Sequence, residues 1–63
     1  MGRENKMAIA KQVLAESVGA MVNSLEFAFI WEYNGEIFFS FQINEPDHAH
    51  NGSTLSVNVS KIT

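Results

Sequence analysis

The stretch LEFAFIWEYNGEIFFSFQI, residues 25–43, decides the fold of this 63-residue chain. On both sides of Asn34-Gly35, large apolar residues alternate with other residues. A period of two is typical of half-buried strands, and aromatic and β-branched residues favour them. Asn-Gly between two such runs is the strongest short hairpin signal. The stretch therefore predicts an antiparallel β-hairpin.

The length of the hairpin loop decides which side chains share a face. A two-residue loop would pair Trp31 with Phe38 and mix bulky apolar residues with acids on both faces. A three-residue loop, residues 33–35, pairs Trp31 with Ile37 instead. Because register follows the hydrophobic pattern where a face is buried, we predict the three-residue loop. It places the large apolar residues on one face: Leu25, Phe27, Phe29, Trp31, Ile37, Phe39, Phe41 and Ile43.

The second face of the predicted hairpin is only half polar. In this register Ile30 opposes Phe38, and the two form a small apolar island rimmed by Glu26, Glu32 and Glu36. Single surface apolar residues are ordinary. A cross-strand pair in so small a chain is more suggestive, and we interpret these five residues as a candidate interface. Glu32 and Glu36 are expected to face each other across the hairpin.

A helix is predicted before the hairpin, from Asn5 to Val22, with residues 1–4 disordered. Asn5 suits an N-cap and Asn23 a C-terminal cap. The apolar arc is about 200° wide, more than a helix on one surface needs. Its stripe holds Met7, Ala10, Leu14, Val18 and Met21, extended sideways by Ile9, Val13 and Ala20, whereas the small residues Ala8, Ala15 and Gly19 leave room for another helix.

After the hairpin, Asn44–Ser53 reads as a loop and Thr54–Ile62 as a third strand. Pro, Asp, Asn, Gly and Ser in residues 46–53 are turn formers. Leu55, Val57 and Val59 alternate with polar residues, so we expect a half-exposed strand antiparallel to the second. The fold class is α+β: one helix packed on a three-stranded antiparallel sheet, α-β-β-β.

The size of the chain indicates one domain, residues 1–63, that is completed by a second copy. A domain this small buries only ~60% of the surface that its unfolded chain exposes. It usually needs further stabilisation by a disulfide, a metal or oligomerisation. The sequence has no cysteine, which removes disulfides and thiolate metal sites. Oligomerisation remains, so we expect a homodimer or higher oligomer.

The charge distribution argues against nucleic acid. The net charge is -3, and no Lys or Arg lies between Gln12 and Ser60, a span that holds six acids. Nucleic-acid affinity needs clustered basic residues. Trp31 and Tyr33 could stack on bases, but Trp31 falls on the predicted helix-covered face and is interpreted as core. An acidic surface could instead meet a basic protein partner, whereas a solvated surface that keeps the protein soluble is the simpler interpretation.

One cluster carries residues that ligate metals: Glu45, Asp47, His48 and His50. Four ligands within six loop residues rarely close a tetrahedral site alone. A polar loop is the simpler interpretation, with a metal or ligand site shared between subunits as the alternative. No Gly-x-Ser-x-Gly or phosphate-binding Gly loop occurs, and we expect no cofactor.

No targeting signal or run of roughly 20 apolar residues is visible, so we expect a cytoplasmic protein away from membranes. We predict a non-enzymatic small acidic interaction protein, such as a regulator, inhibitor or adaptor. Inhibitors encoded by phages or mobile elements share this general size and charge, which is an analogy of composition and not of motif. The alternative is an oligomer that holds a small molecule or metal between subunits.

Overall fold

A computed structural model describes residues 2–61, with side chains described for 5–60. Its three strands form one antiparallel sheet in the order β1-β2-β3. The predicted α-β-β-β architecture is confirmed. The elements are α1 (Gly2–Val18), a short 3-10 helix (Val22–Ser24), β1 (Leu25–Tyr33), β2 (Glu36–Ile43), β3 (Thr54–Asn58) and a second 3-10 helix (Val59–Lys61).

The end of α1 is set by Gly19 and not by the predicted cap Asn23. Gly19 has a φ of 71°, and the amide of Ala20 donates to the carbonyl of Ala15 at 2.9 Å. This is the Schellman arrangement, in which glycine takes the left-handed position without steric cost. Four residues of the predicted helix therefore lie outside it, and Asn23 lies in the 3-10 helix.

The start of α1 also differs from the prediction. The helix begins at Gly2, so Asn5 lies inside it and is not the N-cap. The predicted disorder of residues 1–4 concerns Met1 and the side chains of residues 2–4, which lie outside the described residues.

The hairpin combines both of the registers that the sequence allows. Leu25 pairs with Ile43 and Phe27 with Phe41, as the three-residue loop predicted. A β-bulge at Ala28 then shifts the register by one residue, and the outer half pairs around a two-residue turn. Asn34 and Gly35 have φ values of 54° and 77°, the positive pair that a type I′ turn requires. The predicted three-residue loop is therefore wrong.

The bulge satisfies two local demands that conflict by one residue. The Asn-Gly turn fixes the outer register, and burial of the inner apolar residues fixes the other. One extra residue in β1 absorbs the difference. Trp31 consequently pairs with Phe38, Ile30 with Phe39 and Glu32 with Ile37.

The core lies between α1 and one face of the sheet, which we call the helix face. α1 packs over β2 and β3. The buried apolar residues are Ala10, Leu14, Ala15, Leu25, Phe39, Phe41, Ile43 and Val59, with Met7, Val18, Ala20, Leu55 and Val57 packed against them. Ala15, which the sequence placed on a side of the helix open to another helix, is thus already packed in this core. Met21, predicted in the apolar stripe, is 65% exposed, and Ile9 and Val13 also face solvent.

β3 ends earlier than predicted, at Asn58. Leu55, Val57 and Val59 do point into the core, as the alternation indicated. The chain then turns into the 3-10 helix, and Ser60 Oγ accepts a hydrogen bond from the amide of Ile37 at 2.8 Å. Ile62, the predicted end of the strand, lies outside the described residues.

Candidate protein-binding surfaces

An aromatic row lies on the sheet face opposite α1, which we call the open face. Phe29, Trp31 and Tyr33 pair with Ser40, Phe38 and Glu36 of β2, so all three project from this face. They are 51%, 38% and 62% exposed, respectively. The bulge at Ala28 turns them away from the helix face, on which the three-residue loop predicts Phe29 and Trp31. The open face therefore presents large apolar side chains to solvent.

The indole of Trp31 is held in place by contacts with β2 and β3. Its indole stacks on Phe38 with ring centroids 4.3 Å apart and 13° between the planes. Its Nε1–H donates to Ser40 Oγ at 2.9 Å and to Ser56 Oγ at 3.1 Å, and the two hydroxyls lie 2.8 Å apart. Ser40 is fully buried. Because the indole is held on both its apolar face and its polar edge, it forms a rigid platform.

The surroundings of the aromatic row are acidic or neutral. Glu26 pairs with Gln42 across the sheet, and Glu36 accepts a hydrogen bond from Asn58 Nδ2. No Lys or Arg occurs in β1, β2 or β3. Aromatic faces attract cations, and nearby carboxylates add to that attraction. The open face is therefore suited chemically to guanidinium or ammonium groups.

The predicted island of Ile30 and Phe38 is not formed. Ile30 lies on the helix face, opposite Phe39, whereas Phe38 lies on the open face against Trp31. The bulge at Ala28 is the reason, since it reverses the facing of every β1 residue after it. The proposed interface residues thus divide between two faces, with Glu26, Glu36 and Phe38 on the open face and Ile30 and Glu32 on the helix face.

The expected Glu32–Glu36 contact is also absent. Glu32 pairs with Ile37 and lies on the helix face, whereas Glu36 pairs with Tyr33 on the open face. The two carboxylates are therefore on opposite sides of the sheet.

A second apolar surface lies on the helix face beside β1, where α1 does not reach. Phe27, Ile30 and Ile37 are 42%, 43% and 43% exposed. The ring of Phe27 meets Phe39 and Phe41 edge-on, with centroids 6.0 and 5.8 Å away. The ring of Phe27 therefore packs on the core, while part of its surface and the side chains of Ile30 and Ile37 remain exposed to solvent. β1 consequently carries exposed apolar side chains on both faces.

Within the loop at 44–53, Glu45 ties the loop to the connection between α1 and β1. The amide of Met21 donates to Glu45 Oε1 at 2.9 Å, and the amide of Asn44 donates to the carbonyl of Ser24 at 2.8 Å. The hydrogen bond from Met21 lowers the pKa of the Glu45 carboxyl below its ordinary value. The side chain of Ser24 acts in the same direction, and desolvation of the carboxyl opposes both.

Both ring nitrogens of His48 are occupied by the protein itself. Nε2 lies 2.6 Å from the carbonyl oxygen of Val18, and Nδ1 accepts the amide of His50 at 2.9 Å. A carbonyl only accepts, so Nε2 carries the hydrogen and the ring is the neutral Nε2–H tautomer. This side chain completes the C-terminus of α1, where carbonyls need donors.

The candidate ligand set of Glu45, Asp47, His48 and His50 is therefore not assembled as a metal site in this structure. Over the part of the chain that is described, no group of three or more His, Cys, Asp or Glu side chains could hold a metal ion. Asp47 and His50 face solvent. Glu45 and His48 instead hold the loop in place, through hydrogen bonds to the backbone of Met21 and Val18.

The predicted register did not indicate the aromatic row as a surface. One signal could have found it, namely the strong preference of Asn-Gly for a two-residue type I′ turn. With that turn, Trp31 and Tyr33 fall on the face of Ser40. The inner half keeps its predicted pairs only if one residue of β1 is bulged.

Comparison with family models, curated proteins and solved structures finds no match to this chain. No helix among residues 2–61 has the length and apolar character to cross a membrane.

Proposed function

We propose that this chain is a non-enzymatic, acidic protein-binding module that receives an arginine-bearing segment of another protein on its open face. The observation that carries the proposal is the exposed row of Phe29, Trp31 and Tyr33 on a face without positive charge. Regulation, inhibition or adaptor activity would follow from occupancy of this face. We place the protein in the cytoplasm as part of the proposal, because the sequence contains no cysteine.

The aromatic row supports arginine as the preferred contact. Guanidinium is planar and weakly hydrated, stacks on aromatic rings and is enriched at interface centres. The fixed indole of Trp31 offers such a ring at low entropic cost, because stacking on Phe38 already orders it. Glu26 and Glu36 lie on the same face and attract the charge.

The absence of basic residues supports selectivity for cationic partners. Between Gln12 and Ser60 the chain holds six acids and no Lys or Arg. Like-charge contact disfavours acidic partners, while complementary charge accelerates encounter. The same distribution argues against phosphate-bearing partners.

Trp31 is the one tryptophan of the chain, so its fluorescence reports directly on the open face. Titration with an arginine-rich peptide should give a saturable change that weakens as salt is added. A lysine-rich peptide of equal charge should bind more weakly, because ammonium does not stack as a plane. An acidic peptide of equal length should leave the spectrum unchanged.

Matched variants locate the contact. Tyr33→Thr removes the most exposed ring of the row and should weaken arginine-peptide binding by about tenfold, as at an interface hot spot. Val13→Thr removes a comparably exposed apolar side chain from α1, 43% exposed, and should leave binding unchanged. Equal binding of the acidic peptide, or an equal effect of both variants, would overturn the proposal.

A further inference from the structure

The two edges of the sheet differ in how they are protected. β3 is five residues long and is followed by a 3-10 helix. Its residues on the open face are polar: Thr54, Ser56 and Asn58. β1 is nine residues long and has no Lys or Pro. Natural edge strands avoid pairing by being short, or by carrying Lys, Pro or a bulge. Beyond the bulge at Ala28, residues 29–33 form a regular edge in which Glu32 is the one charged side chain.

The direction of one hydrogen bond shows which backbone groups face outward from β1. The amide of Ile37 donates to Ser60 Oγ, on the β3 side, and so points away from β1. Paired residues of an antiparallel ladder either both face each other or both face away. Glu32, the partner of Ile37, therefore directs its N–H and C=O outward, and so does Ile30, two residues earlier.

We propose that β1 pairs antiparallel with β1 of a second copy over residues 29–33, with Trp31 opposite Trp31 of the partner subunit. In this register the outward groups of Ile30 meet those of Glu32 of the partner subunit, giving four hydrogen bonds about the two-fold axis. Phe29 lies opposite Tyr33 of the partner subunit. Residues that are paired in this way project from the same face in both copies.

Other registers fit the edge less well. A two-fold axis at Ile30 would extend the ladder into the bulge at Ala28. An axis at Glu32 would place two carboxylates directly opposite each other, which is destabilising. The axis at Trp31 uses the whole regular segment between the bulge and the turn, and opposes no like charges.

The exposed apolar residues lie where this pairing would cover them. A two-fold axis perpendicular to the sheet keeps the helix faces of both copies on one side. The Ile30 side chains, 43% exposed, then lie on either side of the axis at the centre of a six-stranded sheet, while α1 stays clear over β2 and β3. On the open face, the rows of Phe29, Trp31 and Tyr33 come to lie side by side. A second copy thus covers part of the apolar surface that a 63-residue core leaves exposed.

Charge at position 30 tests the register. Ile30→Lys places an ammonium group opposite Glu32 of the partner subunit at both symmetry-related positions, so the dimer should persist. Ile30→Glu removes the same apolar side chain but places a carboxylate opposite Glu32 of the partner subunit at both positions. This repulsion should weaken dimerisation by roughly tenfold or more. Adding Glu32→Lys to Ile30→Glu should restore the dimer. Sedimentation equilibrium of the full chain reads mass against the 7.0 kDa monomer, and circular dichroism checks each fold.

Amide hydrogen exchange of the unmodified chain provides a measurement that needs no variant. The amides of Ile30 and Glu32 should exchange more slowly as protein concentration rises. The exchange rate of the Asn51 amide, in the loop at 44–53, should not change. A wild-type monomer at high micromolar concentration would overturn the proposal. So would equal loss of the dimer in Ile30→Lys and Ile30→Glu, or an Ile30→Glu variant that still dimerises. Arginine-peptide binding to a monomer would still support the proposed function, so the two proposals fail separately.

Discussion

Trp31 stacks on Phe38 directly across the hairpin, and its indole N–H reaches past that ring to the hydroxyls of Ser40 and Ser56. One side chain of β1 therefore contacts β2 and β3 together. The open face has no helix above it, so Trp31 supplies the cover that the buried Ser40 needs.

Replacing the indole tests this role. Trp31→Phe keeps a ring against Phe38 but removes the donor to both hydroxyls, and should lower the free energy of unfolding by about 1–2 kcal/mol. In a double-mutant cycle, Trp31→Phe and Ser56→Ala should couple by roughly 0.5 kcal/mol or more. Urea denaturation followed by circular dichroism measures both. Additive effects would mean that the hydrogen bond contributes nothing.

Phe39→Ala should unfold the domain or nearly so. Phe39 is 4% exposed at the centre of the helix face, and truncation of a buried Phe costs ~3–5 kcal/mol. The control is Ile37→Ala, two residues earlier on the same face but 43% exposed. It should cost about 1 kcal/mol, since little buried volume is lost. Similar melting temperatures for the two variants would contradict the assignment of the core.

Deleting Ala28 should leave the domain folded. Without the extra residue, the turn and the inner pairs of β1 fit one continuous ladder, because the bulge merely absorbs a one-residue mismatch. Deleting Gln42 from β2 is the matched control, since it would turn the buried Ile43 to the other face. Far-ultraviolet circular dichroism should show a native spectrum for the first deletion alone. Unfolding by both deletions would refute the compensating role of the bulge.

Glu45 should make the stability of the domain depend on acid pH. Its pKa is lowered in the folded state, chiefly by the hydrogen bond from Met21. A group with a depressed pKa contributes stability above its unfolded pKa and loses it as pH falls through the folded value. Glu45→Gln should therefore destabilise at neutral pH, and its effect should shrink as the pH falls below the ordinary range of a carboxyl group. Glu26→Gln, which changes net charge equally on an exposed strand position, controls for general charge effects.

His48 should matter for stability through its hydrogen bonds and not through a metal. His48→Ala leaves the Val18 carbonyl without its donor and should cost about 1 kcal/mol. His50→Ala removes a solvent-facing ring and keeps the backbone amide that His48 accepts, so it should be nearly neutral. Thermal melts should not change on addition of EDTA for any of these proteins. A fall in melting temperature with the chelator would restore the metal interpretation.

The sequence alone determined the elements and the inner half of the hairpin. The period of two in residues 25–43 and 54–62 predicts three strands, and the helical period of residues 5–22 predicts α1, although the structure ends β3 at Asn58 and α1 at Val18. Leu25 and Phe27 pair as predicted because the burial of Leu25 and of their partners Ile43 and Phe41 follows the local alternation. These properties arise within a few residues of one another, so a sequence pattern is sufficient to predict them.

The tertiary structure decided which way β1 faces beyond Ala28. The type I′ turn forms in full, whereas the single apolar face of β1 is kept only as far as Phe27. The bulge accommodates both preferences. The bulge places Trp31 over Ser40 and Ser56, a contact with a residue 25 positions away that no local pattern encodes. The same long-range packing assigns His48 to the end of α1. The Asn-Gly turn indicates the face on which Trp31 and Tyr33 lie, but only the three-stranded sheet brings Ser56 to the indole of Trp31.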